Sequence, residues 1–367
     1  MELNDFIRSY VHSMEPYKPG LREEQVREIA RTDVLVKVSS NESPSAPFES
    51  ARKAGTQALT GVNRYPDGNS TLLKAALEKH LGVETENLVI GNGSNELLIL
   101  LAYATVGAGD EVVYGWPSFI VYPLMCQLTG ATARPVALND REQFDLDAIR
   151  EAITPATRLV VLCNPNNPTA TYYSIDDFRA FMEAVPPHVL VVVDEAYREF
   201  VTDANCPDAL EWFDPMGTLS VVRTFSKAYG MAGMRCGYAI MPRPLVLALD
   251  KIRAPFNVNG VAQAMATASL ADTEELSRRI LANTQQRARL QETFDRLEIA
   301  YAPSQTNFVW IHTPRPQECF TALLAKGVIV RDFGQVPALR VGVGSQDETS
   351  RIIEVFDELA DKGFFDR

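Results

Sequence analysis

The chain has 367 residues, 46% hydrophobic and 22% charged, with 21 glycines and 22 prolines spread along it; this composition excludes disorder, collagen and coiled coil and suits two domains or one large domain with a satellite. The 35 Lys and Arg against 47 Asp and Glu give a formal net charge of −12, a sign that repels phosphate backbones and anionic membranes. Apolar runs such as 159–163 and 189–193 fall far short of the roughly 20 residues of a membrane span, and residues 1–30 lack an apolar leader core and a small-residue cleavage site, so a cytoplasmic protein is expected.

Short β-rich runs alternate with helical periodicity, the pattern of parallel βαβ construction. A strand is predicted over 87–90, then a helix over 94–105, a strand over 111–114, and an apolar helix to about 128 after a Trp116-Pro117 turn. Buried strands follow at 158–163, 189–193, 219–224 and 238–241, because β-branched residues dominate them and polar residues sit at their ends. Beyond Pro242 and Pro244 the pattern turns helical, small and apolar over 258–271, then long, charged and amphipathic over 274–297. The remainder predicts strands at 307–311, 328–331 and 339–343, a helix over 317–325 and a last helix from about Asp347. An α/β core with a small α+β domain is therefore expected.

The stretch Thr224-Phe225-Ser226-Lys227-Ala228-Tyr229-Gly230, continuing to Arg235-Cys236-Gly237, directly follows a predicted buried strand. A lysine at a strand's end with little water access can lose its proton and act as an amine nucleophile, which suggests a Schiff base; a solvated lysine is the plain alternative. Asp194, 33 positions earlier, also ends an apolar strand, where open α/β sheets bind ligands. A carboxylate buried there needs a cation, met either by a structural arginine or by the protonated pyridine nitrogen of pyridoxal phosphate.

Asn164-Pro165-Asn166-Asn167-Pro168-Thr169-Ala170 reads as a fixed, non-helical loop whose amides can face a ligand. Gly91-Asn92-Gly93-Ser94-Asn95-Glu96 leads into a helix with Ser94 as expected N-cap, and its free amides suit a phosphate. Glu96 at the third glycine position excludes a dinucleotide fingerprint, and no Gly-Lys-Ser/Thr follows for a nucleotide P-loop. Four widely separated histidines (12, 80, 188, 312) lack metal-ligand spacing, and no metal is expected. Five cysteines (126, 163, 206, 236, 319) include no Cys-x-x-Cys pair and read as reduced, buried thiols.

Together these segments resemble the fold-type I pyridoxal phosphate aminotransferases, most closely the histidinol-phosphate aminotransferase family. The likeness runs from Pro16-Tyr17-Lys18-Pro19-Gly20 through Ser40-Asn41-Glu42-Ser43-Pro44 and Arg64-Tyr65-Pro66-Asp67-Gly68 to Leu339-Arg340-Val341. It implies a large domain with a mainly parallel seven-stranded sheet between helices, a small α+β domain, and a homodimer with shared active sites. The implied boundaries are 1–40 for an N-terminal arm and part of the small domain, 41–255 for the cofactor domain, 256–297 for linking helices and 298–367 for the small C-terminal domain.

By the same resemblance, Lys227 is the Schiff-base lysine and proton shuttle, and Asp194 the partner of the pyridine nitrogen. Tyr197 and Asn167 would bond the cofactor's phenolate oxygen. Ser94, Asn95, Ser226 and Arg235 would hold its phosphate, with Tyr65 reaching the neighbouring subunit's phosphate, and Phe119 would stack on the ring. Tyr17, Asn41, Arg331 and Arg340 would meet the substrate. Core packing for Phe119, a turn for Tyr65, and ion pairs for Arg235 and for Arg331 with Asp332 are the plain alternatives.

The activity implied is transfer of an amino group from histidinol phosphate to 2-oxoglutarate. Its rivals are an aromatic amino acid aminotransferase, a decarboxylase of a phosphorylated amino acid, and a non-catalytic regulator, against which the lack of a basic helix-turn-helix segment counts. Two departures from the family pattern stand on the substrate side. Ala170 replaces a usual glycine and would be strained at positive φ, and Ser43 replaces a usual asparagine.

Overall fold

A computed structural model describes residues 3–12, 14–16, 21, 23–30, 32–334 and 336–365. The strands are β1 (Val36–Lys37), β2 (Leu88–Gly91), β3 (Glu111–Trp116), β4 (Thr132–Ala137), β5 (Thr157–Cys163), β6 (Leu190–Asp194), β7 (Leu219–Thr224), β8 (Gly237–Ile240), β9 (Tyr301–Ala302), β10 (Phe308–His312), β11 (Val328–Ile329), β12 (Arg331–Asp332) and β13 (Ala338–Gly342). Seven of them form one sheet in the order β2-β8-β7-β6-β5-β3-β4. Every neighbouring pair is parallel except the two that involve β8. The valines and leucines of β5 and β6 are buried, Leu190 at the start of β6 only partly, because helices cover both faces of the sheet.

Strand β4 has no counterpart among the predicted elements. It is almost wholly exposed, so it carries no buried alternation to read, and Pro135 is admissible there because the strand lies on the sheet's edge. The run predicted as one strand over 328–331 is divided. β11 pairs in parallel with β1, whereas β12, one residue later, pairs with β13. The chain changes sheet at Val330, a step fixed by long-range pairing rather than local propensity.

The second sheet is antiparallel, in the order β12-β13-β10-β9. One face buries Val309, Ile311, Leu339 and Val341 against Ile352 and Phe356 of the helix Gln346–Ala360. Alternation along the strands sends Phe308, Trp310, His312 and Arg340 to the other face. The helix Thr273–Arg296 runs between the two cores, contributing Leu276 to one and Leu290 and Phe294 to the other. Asp272 caps its start, and Glu274 and Glu275 complement its dipole. Among the described residues no helix is long and apolar enough to cross a membrane.

Ala170 does take the left-handed conformation, with φ 67°, and is fully buried beside Tyr197 and Phe308. The strain of about 1–2 kcal/mol is nearly balanced by the methyl's burial, about 0.8 kcal/mol, and by the roughly 0.4–1 kcal/mol that glycine would add to unfolded-chain entropy. Ala170→Gly is thus expected to leave stability within about 1 kcal/mol, while the β-branched Ala170→Val should lose more than about 2 kcal/mol in denaturant unfolding.

Candidate active site

The site gathers at the carboxyl ends of the parallel strands. Asp194 ends β6 level with Cys163 of β5, and Gly91 of β2, Gly237 of β8 and Thr224 of β7 share one row of the same sheet. Next to Asp194, Glu195 accepts from Arg223 Nε at 2.9 Å and from the Ala209 amide at 2.8 Å, which clamps the end of β6 against β7.

Asp194 is 2% exposed. Its Oδ2 accepts from the Tyr122 hydroxyl at 3.0 Å, while Oδ1 is buried and, among the described residues, has no hydrogen-bond partner. Burial drives its carboxyl up from 3.8 to about 6, opposed by the Tyr122 bond and the Ala196 amide. Among the described residues no arginine pairs with it, so the structural ion pair is not the answer to its charge. An orphaned, buried carboxylate oxygen is an acceptor waiting for a cation or an N–H donor.

Lys227 is half-buried, and its Nζ donates to the Ser40 carbonyl at 3.2 Å. Burial lowers its ammonium from 10.5 to about 8, and the charge of Arg340 lowers it further, with Glu42 and Asp194 opposing. Lys227 and Asp194 are thus within electrostatic reach of one another. The ammonium lies 5.7 Å from the centroid of the Tyr197 ring. The Tyr197 oxygen accepts from Asn41 Nδ2 at 2.9 Å, and burial pushes its phenol up to about 12.

The helix Ser94–Thr105 starts beside Gly237 and Arg235, and Arg235 is hydrogen-bonded to Ser226, the residue before Lys227. Gly93, with φ 84°, takes the cap position, and Ser94 is the first helical residue and caps nothing with its side chain; the expected Ser94 cap is corrected accordingly. A Cβ on Gly93 would collide with the Arg235 guanidinium, and one on Gly237 would lie 2.5 Å from the Ser94 amide nitrogen. Glycine is favoured at 93 by its left-handed φ and required at 237 because the backbone at the start of the helix presses against it.

Arg235 Nη1 donates to Ser226 Oγ at 3.4 Å and Ala232 O at 3.1 Å, and Nη2 to Asn92 O at 3.4 Å. Among the described residues no carboxylate pairs with it. A guanidinium set against the positive end of a helix, with no acid among the described residues to neutralise it, makes a cradle for an anion.

On the facing sheet, Arg340 Nη2 donates to Ser39 O at 2.7 Å and Nη1 to Asn167 Oδ1. Arg331 lies directly across from Arg340 in the β12–β13 register, and Trp310 directly across on the other side, so all three project from one face. Asp332 accepts from Gln317 Nε2 and the Gly334 amide. Asn41, with φ 54° and 2% exposed, is held by Asn307 Nδ2 at its carbonyl. Phe119 is half-buried and edge-on to Tyr122, ring centroids 6.0 Å apart.

Two expected site residues stand apart. Tyr65 is 82% exposed and stacks on Phe256 at 4.6 Å on the outer surface, and Tyr17 lies outside the described residues.

A family model described as aminotransferase class I and II matches residues 33–356. The chain belongs to this family. It is 43% identical over 364 residues to histidinol-phosphate aminotransferase 2 of Ralstonia nicotianae, covering 96% of each chain. It is 40% identical to an aromatic amino acid aminotransferase of Streptomyces coelicolor, covering 98% of each. Among solved structures it is similar to the histidinol-phosphate aminotransferase of Sinorhizobium meliloti in complex with pyridoxal-5'-phosphate, with a TM-score of 0.88, 27% identity, and 97% and 98% of the two chains covered. The seven-stranded, mostly parallel sheet is the one expected of a fold-type I aminotransferase, and the protein is an enzyme that transfers amino groups.

Sequence reasoning missed several groups of this aminotransferase site. Tyr122 lies inside the predicted apolar helix that ends near 128 and was given no role; the available signal was that a buried tyrosine hydroxyl requires a partner. The Ser39 and Ser40 carbonyls carry no side-chain signal, and Asn307 stood at the edge of a predicted strand.

Proposed function

We propose that the protein binds pyridoxal phosphate and transfers the amino group of histidinol phosphate to 2-oxoglutarate. The cofactor fits the residues present: the orphaned Asp194 Oδ1 suits a protonated ring nitrogen, and Arg235, Ser226 and the Ser94 and Asn95 amides suit its phosphate. When bound, pyridoxal phosphate supplies an aldehyde that takes the amino group and a ring that withdraws electrons. Lys227, whose amine is partly unprotonated near neutral pH, serves as nucleophile and as the base that moves the proton from the donor's Cα. Asp194, a bare carboxylate above pH 6, holds the ring nitrogen protonated.

Tyr197 keeps its proton at neutral pH; its oxygen already accepts from Asn41, so that proton is directed to another acceptor, the cofactor's phenolate oxygen. Asn167 Oδ1 is taken by Arg340, which leaves Nδ2 as a donor to the same oxygen. Phe119 would stack on the ring.

The observation that carries the substrate reading is the cross-strand pair Arg331 and Arg340. Like charges placed directly opposite cost about 0.2–1 kcal/mol, a cost that a phosphate dianion reverses by taking charge-assisted bonds from both. A monoanionic carboxylate needs only one of them. Tyr17 and Asn41 complete the proposed substrate set. The second reading, an aromatic donor, draws on Phe308 and Phe333, which flank Arg340 at 5.2 and 5.6 Å from its guanidinium, and on the relative from Streptomyces coelicolor.

With 2-oxoglutarate fixed, histidinol phosphate is expected to outcompete phenylalanine. Arg331→Ala should lower kcat/KM for histidinol phosphate about 10- to 100-fold while barely changing phenylalanine turnover. Equal losses on both donors would leave the aromatic reading in place, and carbon dioxide without glutamate would show a decarboxylase.

We place the domain boundaries near residues 40, 255 and 297, supported by two separate hydrophobic cores and by β1 joining β11. We also propose a homodimer in which Tyr65 serves the neighbouring site, supported by the exposed apolar residues Leu59, Val62, Tyr65 and Leu72.

A further inference from the structure

We propose that Glu142 is a positioning residue for the anion-binding arginine Arg340, bracing both walls between which that arginine sits. Glu142 lies in the loop after β4, where the Asn139 carbonyl accepts from its amide at 2.8 Å and Asn139 Oδ1 accepts from the Arg141 and Gln143 amides. Its φ is 56°, a conformation that a glutamate adopts only when its surroundings impose it. The strain is matched by what the residue reaches.

Glu142 Oε1 accepts from Trp310 Nε1 at 3.0 Å, and Oε2 lies 3.1 Å from His312 Nε2. Both partners stand on β10, on the face that carries Arg340, and Trp310 is directly across from Arg340 in the register. Trp310 is 1% exposed, so its indole N–H needs this acceptor.

From the same residue the backbone carbonyl accepts from Thr171 Oγ1 at 2.6 Å. Thr171 Oγ1 lies 2.8 Å from Thr169 Oγ1, which in turn accepts from Asn166 Nδ2 at 2.9 Å. The loop so fixed contains Asn167, the acceptor of Arg340 Nη1. One strained residue therefore ties the small sheet at Trp310 to the loop at Asn167, and Arg340 spans the gap between them. Glu142 touches no reacting group; it sets the distance across which the guanidinium meets the substrate's anion.

This inference rests on the reading of Arg340 as the anion-binding arginine. In the cofactor-loaded enzyme, Glu142→Ala is expected to raise KM for histidinol phosphate and for 2-oxoglutarate about tenfold, leave kcat within about threefold, and shift tryptophan emission to longer wavelength as Trp310 loses its acceptor. Glu142→Gln keeps an oxygen for Trp310 Nε1 and should restore both KM and emission. Trp310→Phe, which removes the N–H and keeps a ring, should raise KM similarly and add little when combined with Glu142→Ala.

Wild-type KM in Glu142→Ala, a Gln variant as impaired as the Ala variant, or fully additive effects of the two substitutions would overturn the proposal. An unchanged KM in Arg340→Lys would remove the reading beneath it. Failure of the wild-type enzyme to use histidinol phosphate would count against the substrate alone, since the 2-oxoglutarate measurement still tests Glu142.

Discussion

Lys227→Ala is expected to abolish turnover while the protein still folds and still binds pyridoxal phosphate through Arg235, Ser226 and Asp194. The absorbance band of lysine-bound cofactor should be missing from its spectrum. Loss of general acid–base catalysis alone is worth about 10²- to 10⁴-fold, and the covalent role of the amine is lost with it. The buried amine makes a second, independent expectation. Because burial lowers its ammonium to about 8, the rate at which wild-type apo-protein captures the cofactor should climb as pH passes through about 8 and then level off. A rate still climbing toward pH 10 would mean that Lys227 is an ordinary solvated lysine; normal turnover in the alanine variant would end its assignment.

Asp194→Asn should uncouple stability from activity. The Asp194 carboxyl rises from 3.8 to about 6 on folding, chiefly through burial, so between about pH 4 and 6 the folded protein binds more protons than the unfolded chain. Apo stability contributed by this group therefore falls as pH rises through that window and stays low above it. Raising a carboxyl by this much costs the ionised folded state about 2–3 kcal/mol.

Asparagine keeps an acceptor for Tyr122 and carries no charge. The apo variant should thus be more stable than wild type by about that amount at pH 8, and nearly equal to it at pH 4, in denaturant unfolding. Its kcat should fall by about 10- to 100-fold or more, because a charge-assisted bond to the ring nitrogen is lost. Added cofactor should stabilise the wild type more than the variant, since only the wild type gains a cation for a buried charge. A variant less stable than wild type at pH 8 would show that the orphaned Oδ1 is satisfied in another way.

The cofactor side of the site was largely legible in the chain. Lys227 and Asp194 each follow an apolar run, and such runs in an α/β pattern end at the ligand-binding edge of the sheet. Arg235 was placed by resemblance, and the two glycines at 93 and 237 explain its position physically. The substrate side was less legible. Arg331 and Arg340 are nine residues apart, and only the antiparallel register of β12 and β13 makes them neighbours. Glu142 gave no signal at all, because its partners Trp310 and His312 lie about 170 positions away.

By itself the sequence determined the central strands near 158–163, 189–193, 219–224 and 238–241, their burial and the types of residue at their ends, since hydrophobic periodicity and chain punctuation are local properties; the helices Glu49–Ala58, Thr71–Leu81, Leu146–Glu151 and Ile175–Ala184 were not among the predicted elements. Tertiary structure alone decided that β4 forms an edge, that the chain changes sheets at Val330, that Gly93 rather than Ser94 caps the helix beside Arg235, and that Asp194 has Tyr122 on Oδ2 and, among the described residues, no hydrogen-bond partner on Oδ1. Each of these depends on which distant groups meet. A hydrogen bond or a buried charge takes its energy from its partner and its surroundings, and no window along the chain contains both.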